Sequence, residues 1–199
     1  MIWSCESHKL LKMIKWKSPT GEGEHKLISP RKIVLRDLEK LLYTHDHVEY
    51  VEVPEGVDYV GPFPILSIQM REPARWKQVK LPSTVTRIRY HAFSSCLSLT
   101  SINFPASLEY IGYQAFTRTG LTTVDLTSTC VTRIDQSTFM DCQALTDVDL
   151  SDTLLSIDLN AFCNCGNLTK VSMPITVEKL GADCFSKCPK LCVYLRLVG

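Results

Sequence analysis

Apolar residues recur along this chain at an interval that is neither the 3.6 of a helix face nor the 2 of a strand face. Phe93, Phe116, Phe139, Phe162 and Phe185 stand 23 residues apart without a slip. Ile88, Ile111, Ile134, Ile157 and Leu180 keep that interval five positions earlier, and Val85, Leu108, Val131, Leu154 and Val177 keep it again. A fixed period of this length marks a stack of coils, each burying its apolar side only against its neighbours. In the second half of each unit, Leu99-Thr-Ser-Ile102-Asn-Phe104 is repeated as Leu121-Thr-Thr-Val124-Asp-Leu126, Leu145-Thr-Asp-Val148-Asp-Leu150 and Leu168-Thr-Lys-Val171-Ser-Met173. The alternation Ile-x-Phe or Val-x-Leu predicts a short strand with one side buried. One residue is lost in Arg118-Thr119-Gly120 and regained at Ser128-Thr129-Cys130, so length changes fall in turns.

The motif L-x-x-L-x-L is the strand core of a leucine-rich repeat, whose usual length is about 20–29 residues. LPSTVTRIRYHAFSSCLSLTSIN, FPASLEYIGYQAF and DTLLSIDLNAFCNCGNLTKVS resemble the unit LPxxLxxIgxxAFxxCxxLxxIx of the BspA-like, or Treponema-type, repeat family. The resemblance spans residues 81 to about 194. Departures are Thr119 for Cys, Thr138 and Cys184 for Ala, and Thr127 and Ser151 for Pro.

The expected fold is an α/β repeat: a right-handed leucine-rich-repeat solenoid of about five 23-residue coils, a degenerate N-terminal coil and a helical N-terminal cap. The repeats occupy residues 81–199. In 51–80, VEVPEGVDYVG echoes the start of a unit and Trp76-Lys-Gln-Val79-Lys-Leu81 its strand, with Pro62, Pro64 and Pro73 marking an irregular insertion between them. Residues 1–50 form the cap region. There Ser29 before Pro30 sets up a helix start, and Val34, Leu38, Leu41 and Leu42 make a helical stripe, predicting a helix near 30–44.

Composition narrows the function without naming it. Twenty-two basic and 21 acidic residues leave a net charge of +1, so no global field directs the chain to nucleic acid. No apolar run approaches the roughly 20 residues of a membrane span. MIWSCESHKLLKMIKWK lacks the uninterrupted apolar stretch of a secretory signal, which predicts an intracellular, reducing setting and mostly free thiols among nine cysteines. The family resemblance points instead to adhesion and protein contacts at cell surfaces.

Cys96, Cys142, Cys165 and Cys188, with Thr119 in the remaining place, form a column three residues after each phenylalanine. Buried packing is the preferred role. Disulfides between coils are the alternative, at a spacing of about 5 Å but with parallel side chains that disfavour the bond's dihedral. Cys163-Asn-Cys165 and Cys184, Cys188 and Cys192 lack the partners of a zinc site. His45-Asp46-His47 and His91 read as turns, and Lys9, Lys12, Lys15 and Lys17 as the solvated side of a cap element. No phosphate loop, G-x-S-x-G or H-E-x-x-H is present, so neither an active site nor a cofactor is expected.

If the strands run parallel, the positions between the buried ones face outward: Gln78 and Lys80, Ser101 and Asn103, Thr123 and Asp125, Asp147 and Asp149, Lys170 and Ser172. They predict one continuous polar face, acidic at Asp125, Asp147 and Asp149, where a protein partner would bind. The alternative places the specific activity in the N-terminal region, with the repeats as a docking arm. Leu191-Cys-Val-Tyr-Leu-Arg-Leu-Val198 leaves an apolar last coil, which implies either a longer natural chain or self-association through that edge.

Overall fold

The computed structural model describes residues 50–53, 55–61 and 76–197. The helix expected near 30–44, the lysine-rich stretch 8–17, His45-Asp46-His47 and the proline-rich insertion lie outside them.

Each coil contributes two short strands, and every pairing is parallel to the equivalent strand of the next coil. The first set is β1 (Tyr50–Glu52), β3 (Gln78–Lys80), β5 (Ser101–Ile102), β7 (Thr123–Asp125), β9 (Asp147–Asp149), β11 (Lys170–Pro174) and β13 (Cys192–Arg196). The second is β2 (Tyr59–Val60), β4 (Arg87–Ile88), β6 (Tyr110–Ile111), β8 (Arg133–Ile134), β10 (Ser156–Ile157) and β12 (Lys179–Leu180). The second set forms one six-stranded sheet, β2 to β12 in coil order. Its register follows the repeat: Val60 pairs with Ile88, Ile88 with Ile111, Ile111 with Ile134, Ile134 with Ile157 and Ile157 with Leu180. Within the degenerate unit, β2 and β3 continue the same ladders, and Trp76, Val79 and Leu81 are buried.

The columns found in the sequence are the core. Phe93, Phe116, Phe139 and Phe162 are fully buried. Their rings, with that of Phe185, stack face on at 5.2, 5.3, 5.2 and 5.4 Å. Five rings at one separation make a continuous aromatic column, each inner ring touching two others.

A third ladder runs beside this column. The N–H of Phe93 donates to the carbonyl of Ala115 at 2.7 Å, Phe116 to Thr138 at 2.9 Å, Phe139 to Ala161 at 2.8 Å and Phe162 to Cys184 at 2.8 Å. The sequence marks His91 on this side as a turn, while the α/β class would allow a helical element here. Among the described residues this side contains turns and no helix. The physical cause is a pair of left-handed residues in each coil: His91 and Ser95, Gln114 and Arg118, Ser137 and Asp141, Asn160 and Asn164, Asp183 and Lys187 all have φ between 51° and 63°. A left-handed residue every fourth position stops a right-handed helix from propagating and turns the backbone N–H groups toward the next coil.

The first set of strands is interrupted. β1-β3-β5 form one sheet and β7-β9-β11-β13 another, with no ladder between β5 and β7. The break falls at the deletion. Successive strands start at 78, 101, 123 and 147, so β7 arrives 22 residues after β5 and β9 follows 24 later. At the short turn, a Cβ on Gly120 would sit 2.3 Å from the Leu97 carbonyl oxygen, so only glycine lets the chain cut the corner.

The last coil has no successor within the described residues. Val193 and Leu195 occupy inward positions, paired with Val171 and Met173, yet are 45% and 74% exposed.

Candidate functional site

Apart from Ser172, the strand-face residues singled out in the sequence are exposed or partly exposed, but they are not equivalent and do not form one sheet. Gln78, Lys80 and Ser101 lie on the first sheet, whereas Thr123, Asp125, Asp147, Asp149, Lys170 and Ser172 lie on the second. The expectation of one continuous face is corrected by the gap between β5 and β7, which the short turn at Gly120 imposes.

On the first sheet, Lys80 is ion-paired with Glu52 at 2.9 Å, and its ammonium is held above the ordinary lysine range by that carboxylate. Asn103 stands just beyond β5 with its amide fully engaged. Its Oδ1 accepts from the Leu81 N–H at 2.7 Å and its Nδ2 donates to the Leu81 carbonyl at 2.9 Å. That two-way bond continues the ladder past the strand end, so Asn103 joins coils rather than presenting an unused group.

On the second sheet the acidic centre is real. Asp125 pairs in register with Asp149, and Thr123 with Asp147. Neighbouring parallel strands lie about 4.8 Å apart, so the Asp125 and Asp149 carboxylates stand side by side. The Thr127 hydroxyl and N–H donate to Asp125 Oδ1 at 2.7 and 3.0 Å and hold its carboxyl below the usual range. Lys170 is in register with Asp147, yet its ammonium reaches Asp149 at 3.6 Å. Lys170 pairs with Asp149, and Arg196, which also acts on Asp125, pairs with Asp152, so the four carboxylates outnumber the two cations and the patch stays net negative. Ser172 is buried, 9% exposed, and so is not a contact residue. It stands in register beside Tyr194 on β13, and Arg196 spans the same coils with its Nη2 2.5 Å from the Leu150 carbonyl and 2.5 Å from Asp152 Oδ1. Tyr194, 56% exposed, is an outward position on this sheet that the repeat spacing does not reveal, because Leu191 stands two residues before Val193 where Leu168 stands three before Val171.

The cysteine column is structural in a specific sense. Cys142 Sγ donates to the Phe116 carbonyl at 3.1 Å, Cys165 to Phe139 at 3.2 Å and Cys188 to Phe162 at 3.1 Å. Each thiol satisfies the carbonyl of the phenylalanine in the preceding coil. Thr119 fits the column because a hydroxyl is also a small donor, and its Oγ1 lies 3.2 Å from Cys142 Sγ. Burial pushes the Cys96 thiol up to about 12 and the Cys142 thiol up to about 11. The hydrogen bond to Cys188, together with burial, raises Cys165 as well. Such groups stay protonated near neutrality and are poor nucleophiles. All cysteines among the described residues are free thiols, and no group of three or more potential metal ligands occurs there.

A parallel β-solenoid of leucine-rich-repeat coils, with polar residues on a strand face and a column of thiols turned inward, is the class this architecture defines. The chain belongs to the family described as BspA type leucine rich repeat region, matched as six copies over residues 72–192. Members of this repeat class are generally protein-binding scaffolds. Similar solved structures include the pneumococcal vaccine antigen PcpA, 24% identical, with a TM-score of 0.58 over 84% of this chain and 39% of that one. A leucine-rich cell surface protein from Faecalibacterium prausnitzii A2-165 is also 24% identical, with a TM-score of 0.52 over 88% of this chain and 48% of that one. The chain thus spans less than half the length of either, and the likeness concerns the fold. No curated protein matches the chain. No helix among the described residues is long and apolar enough to cross a membrane.

Proposed function

We propose that this protein is a non-enzymatic scaffold that binds a basic protein surface on the outward face of β7-β9-β11, centred on Asp125, Asp147 and Asp149. The observation that carries the proposal is the register pairing of Asp125 with Asp149 beside Asp147, three carboxylates faced by Lys170 and by Arg196, whose guanidinium is committed to the Leu150 carbonyl and Asp152. Like charges on adjacent strands oppose folding, typically by a few tenths to about 1 kcal/mol. A basic partner removes that repulsion on binding and gains both steering and specificity. Thr123 borders the acidic centre on the same sheet, and across the gap Gln78, Ser101 and the Lys80–Glu52 pair form a neutral flank. The Faecalibacterium neighbour is a cell surface protein, which supports placing such a scaffold at a cell surface.

The test compares affinity capture by the intact chain with capture by the triple variant D125K/D147K/D149K. All three side chains are at least partly solvated, so thermal stability should change by only a few degrees. Partners held by the intact chain should be lost from the variant. An unchanged set of partners would exclude this face.

A further inference from the structure

The flank made by the second set of strands carries a patch that the repeat consensus does not require. Tyr59, Arg87 and Tyr110 stand side by side in register on β2, β4 and β6, with Val60, Ile88 and Ile111 buried beneath them. Arg89 follows on the same side, its guanidinium carbon 3.8 Å from the centroid of the Tyr59 ring. Just past the strands come Tyr90 and Tyr113, 54% and 39% exposed, in the same position of adjacent coils. The His91 ring lies between them, meeting Tyr90 edge-on at 5.9 Å and Tyr113 at 5.3 Å. Its Nδ1 is buried without a hydrogen-bond partner. Gly112 separates Tyr110 from Tyr113. A Cβ there would lie 2.7 Å from the Tyr90 amide nitrogen and 3.2 Å from Tyr110 Cε1, so only glycine lets the two coils approach this closely beside the rings.

Charge distinguishes the two ends of this flank. Toward β8 and β10 the pairing is complete: Arg133 meets Asp135 at 3.3 Å and also Asp158, and the Tyr110 hydroxyl donates to Asp135 at 2.9 Å. Toward β2 and β4, neither Arg87 nor Arg89 has an ion-pair partner among the described residues. Two uncompensated guanidinium groups among four tyrosines fit a carboxylate set beside an apolar or aromatic side chain. A uniform polyanion fits less well. Asp58 and Glu109 stand one residue ahead of Tyr59 and Tyr110, and two arginines are too few for phosphate-backbone affinity. Tyrosine and arginine are also side chains in which protein interfaces concentrate binding energy, tyrosine because it buries much area for little rotamer entropy and arginine because its planar fork pairs bidentately with carboxylates.

We propose that Tyr59, Arg87, Arg89, Tyr90, Tyr110 and Tyr113 form a second docking surface, for an acidic, aromatic-containing segment of a partner protein. It is independent of the acidic strand face and has the opposite charge preference. The test is fluorescence anisotropy at physiological ionic strength with a labelled random glutamate–tyrosine copolymer, using labelled polyglutamate and heparin as comparisons. The copolymer should bind saturably and about tenfold or more tighter than polyglutamate. The pair R87Q/R89Q should weaken it by about tenfold or more, and Y90S/Y113S should reduce it to the polyglutamate level. D125N/D147N/D149N should leave it unchanged, which separates this surface from the strand face. Absence of saturable binding, heparin binding as tightly as the copolymer, or either flank pair leaving the affinity intact while remaining folded by circular dichroism would overturn the proposal.

Discussion

Replacing Phe139 by alanine removes the middle ring of the aromatic column, and the structure sets the size of the effect. The ring is fully buried and stacked on both sides, 5.3 Å from Phe116 and 5.2 Å from Phe162, with interplanar angles of 6° and 9°. Phenylalanine-to-alanine changes in a core cost about 3–5 kcal/mol. Two lost stacking contacts, each about 0.5–1.5 kcal/mol beyond area, place F139A near the top of that range. Phe185 is the control, since it is only partly buried and stacks on one side, 5.4 Å from Phe162. F185A should cost roughly half as much. Urea unfolding followed by far-ultraviolet circular dichroism measures both. With a slope of about 2 kcal/mol per molar urea, F139A should lower the midpoint by about 2 M and F185A by about 1 M. A solenoid is coupled through nearest neighbours, so the F139A transition should also broaden as coils on either side begin to melt separately. The substitution F139L, which keeps volume but no ring, should fall between wild type and F139A. Equal costs for F139A and F185A, or an F139A cost below about 1.5 kcal/mol, would refute the view that stability resides in a column coupled coil to coil.

Two further outcomes follow from individual side chains. If the thiol of Cys142 serves as a donor to the Phe116 carbonyl, C142T should be nearly as stable as wild type. C142V, of the same shape without a donor, should lose about 1–3 kcal/mol by urea unfolding, and equal stabilities would show that only volume matters there. Burial holds His91 below the ordinary imidazole range, so the folded state binds its proton less readily than the unfolded chain does. The associated stability is therefore present above the unfolded value of about 6.5 and is lost as pH falls through the lower folded value. Melting temperature between pH 8 and pH 5 should decline more steeply for wild type than for H91Q, a substitution the backbone tolerates because Gln114 holds the same left-handed turn at φ 51°. Parallel profiles would remove His91 from the account.

The period of 23 determined the core before any coordinates. Each position of the repeat meets its own counterparts above and below, so a column of phenylalanine, isoleucine or cysteine in the sequence becomes a column in space. That is why Phe93 to Phe185, the β-strand positions and the buried thiols were legible residue by residue. Val57, Val60 and Val79 keep the spacing within their half-units as well, and all three are buried.

What the sequence could not decide depends on contacts between coils that no local pattern encodes. Ten left-handed turn residues, none of them glycine, build a hydrogen-bonded ladder in place of any helical element of an α/β repeat, and residues as unlike as His91, Gln114 and Lys187 share that conformation. The missing residue before Gly120 looked harmless as an indel, yet it divides the strand face because a parallel ladder needs each strand to arrive in register. Asn103 and Ser172 looked as available as Ser101, until Leu81 and the last coil engaged them. The tyrosines and arginines of the opposite flank drew no attention because they occupy variable positions of the repeat. Sequence determines which residues stack on which. Only the tertiary structure shows which outward groups their neighbours have already satisfied, and which remain free to bind.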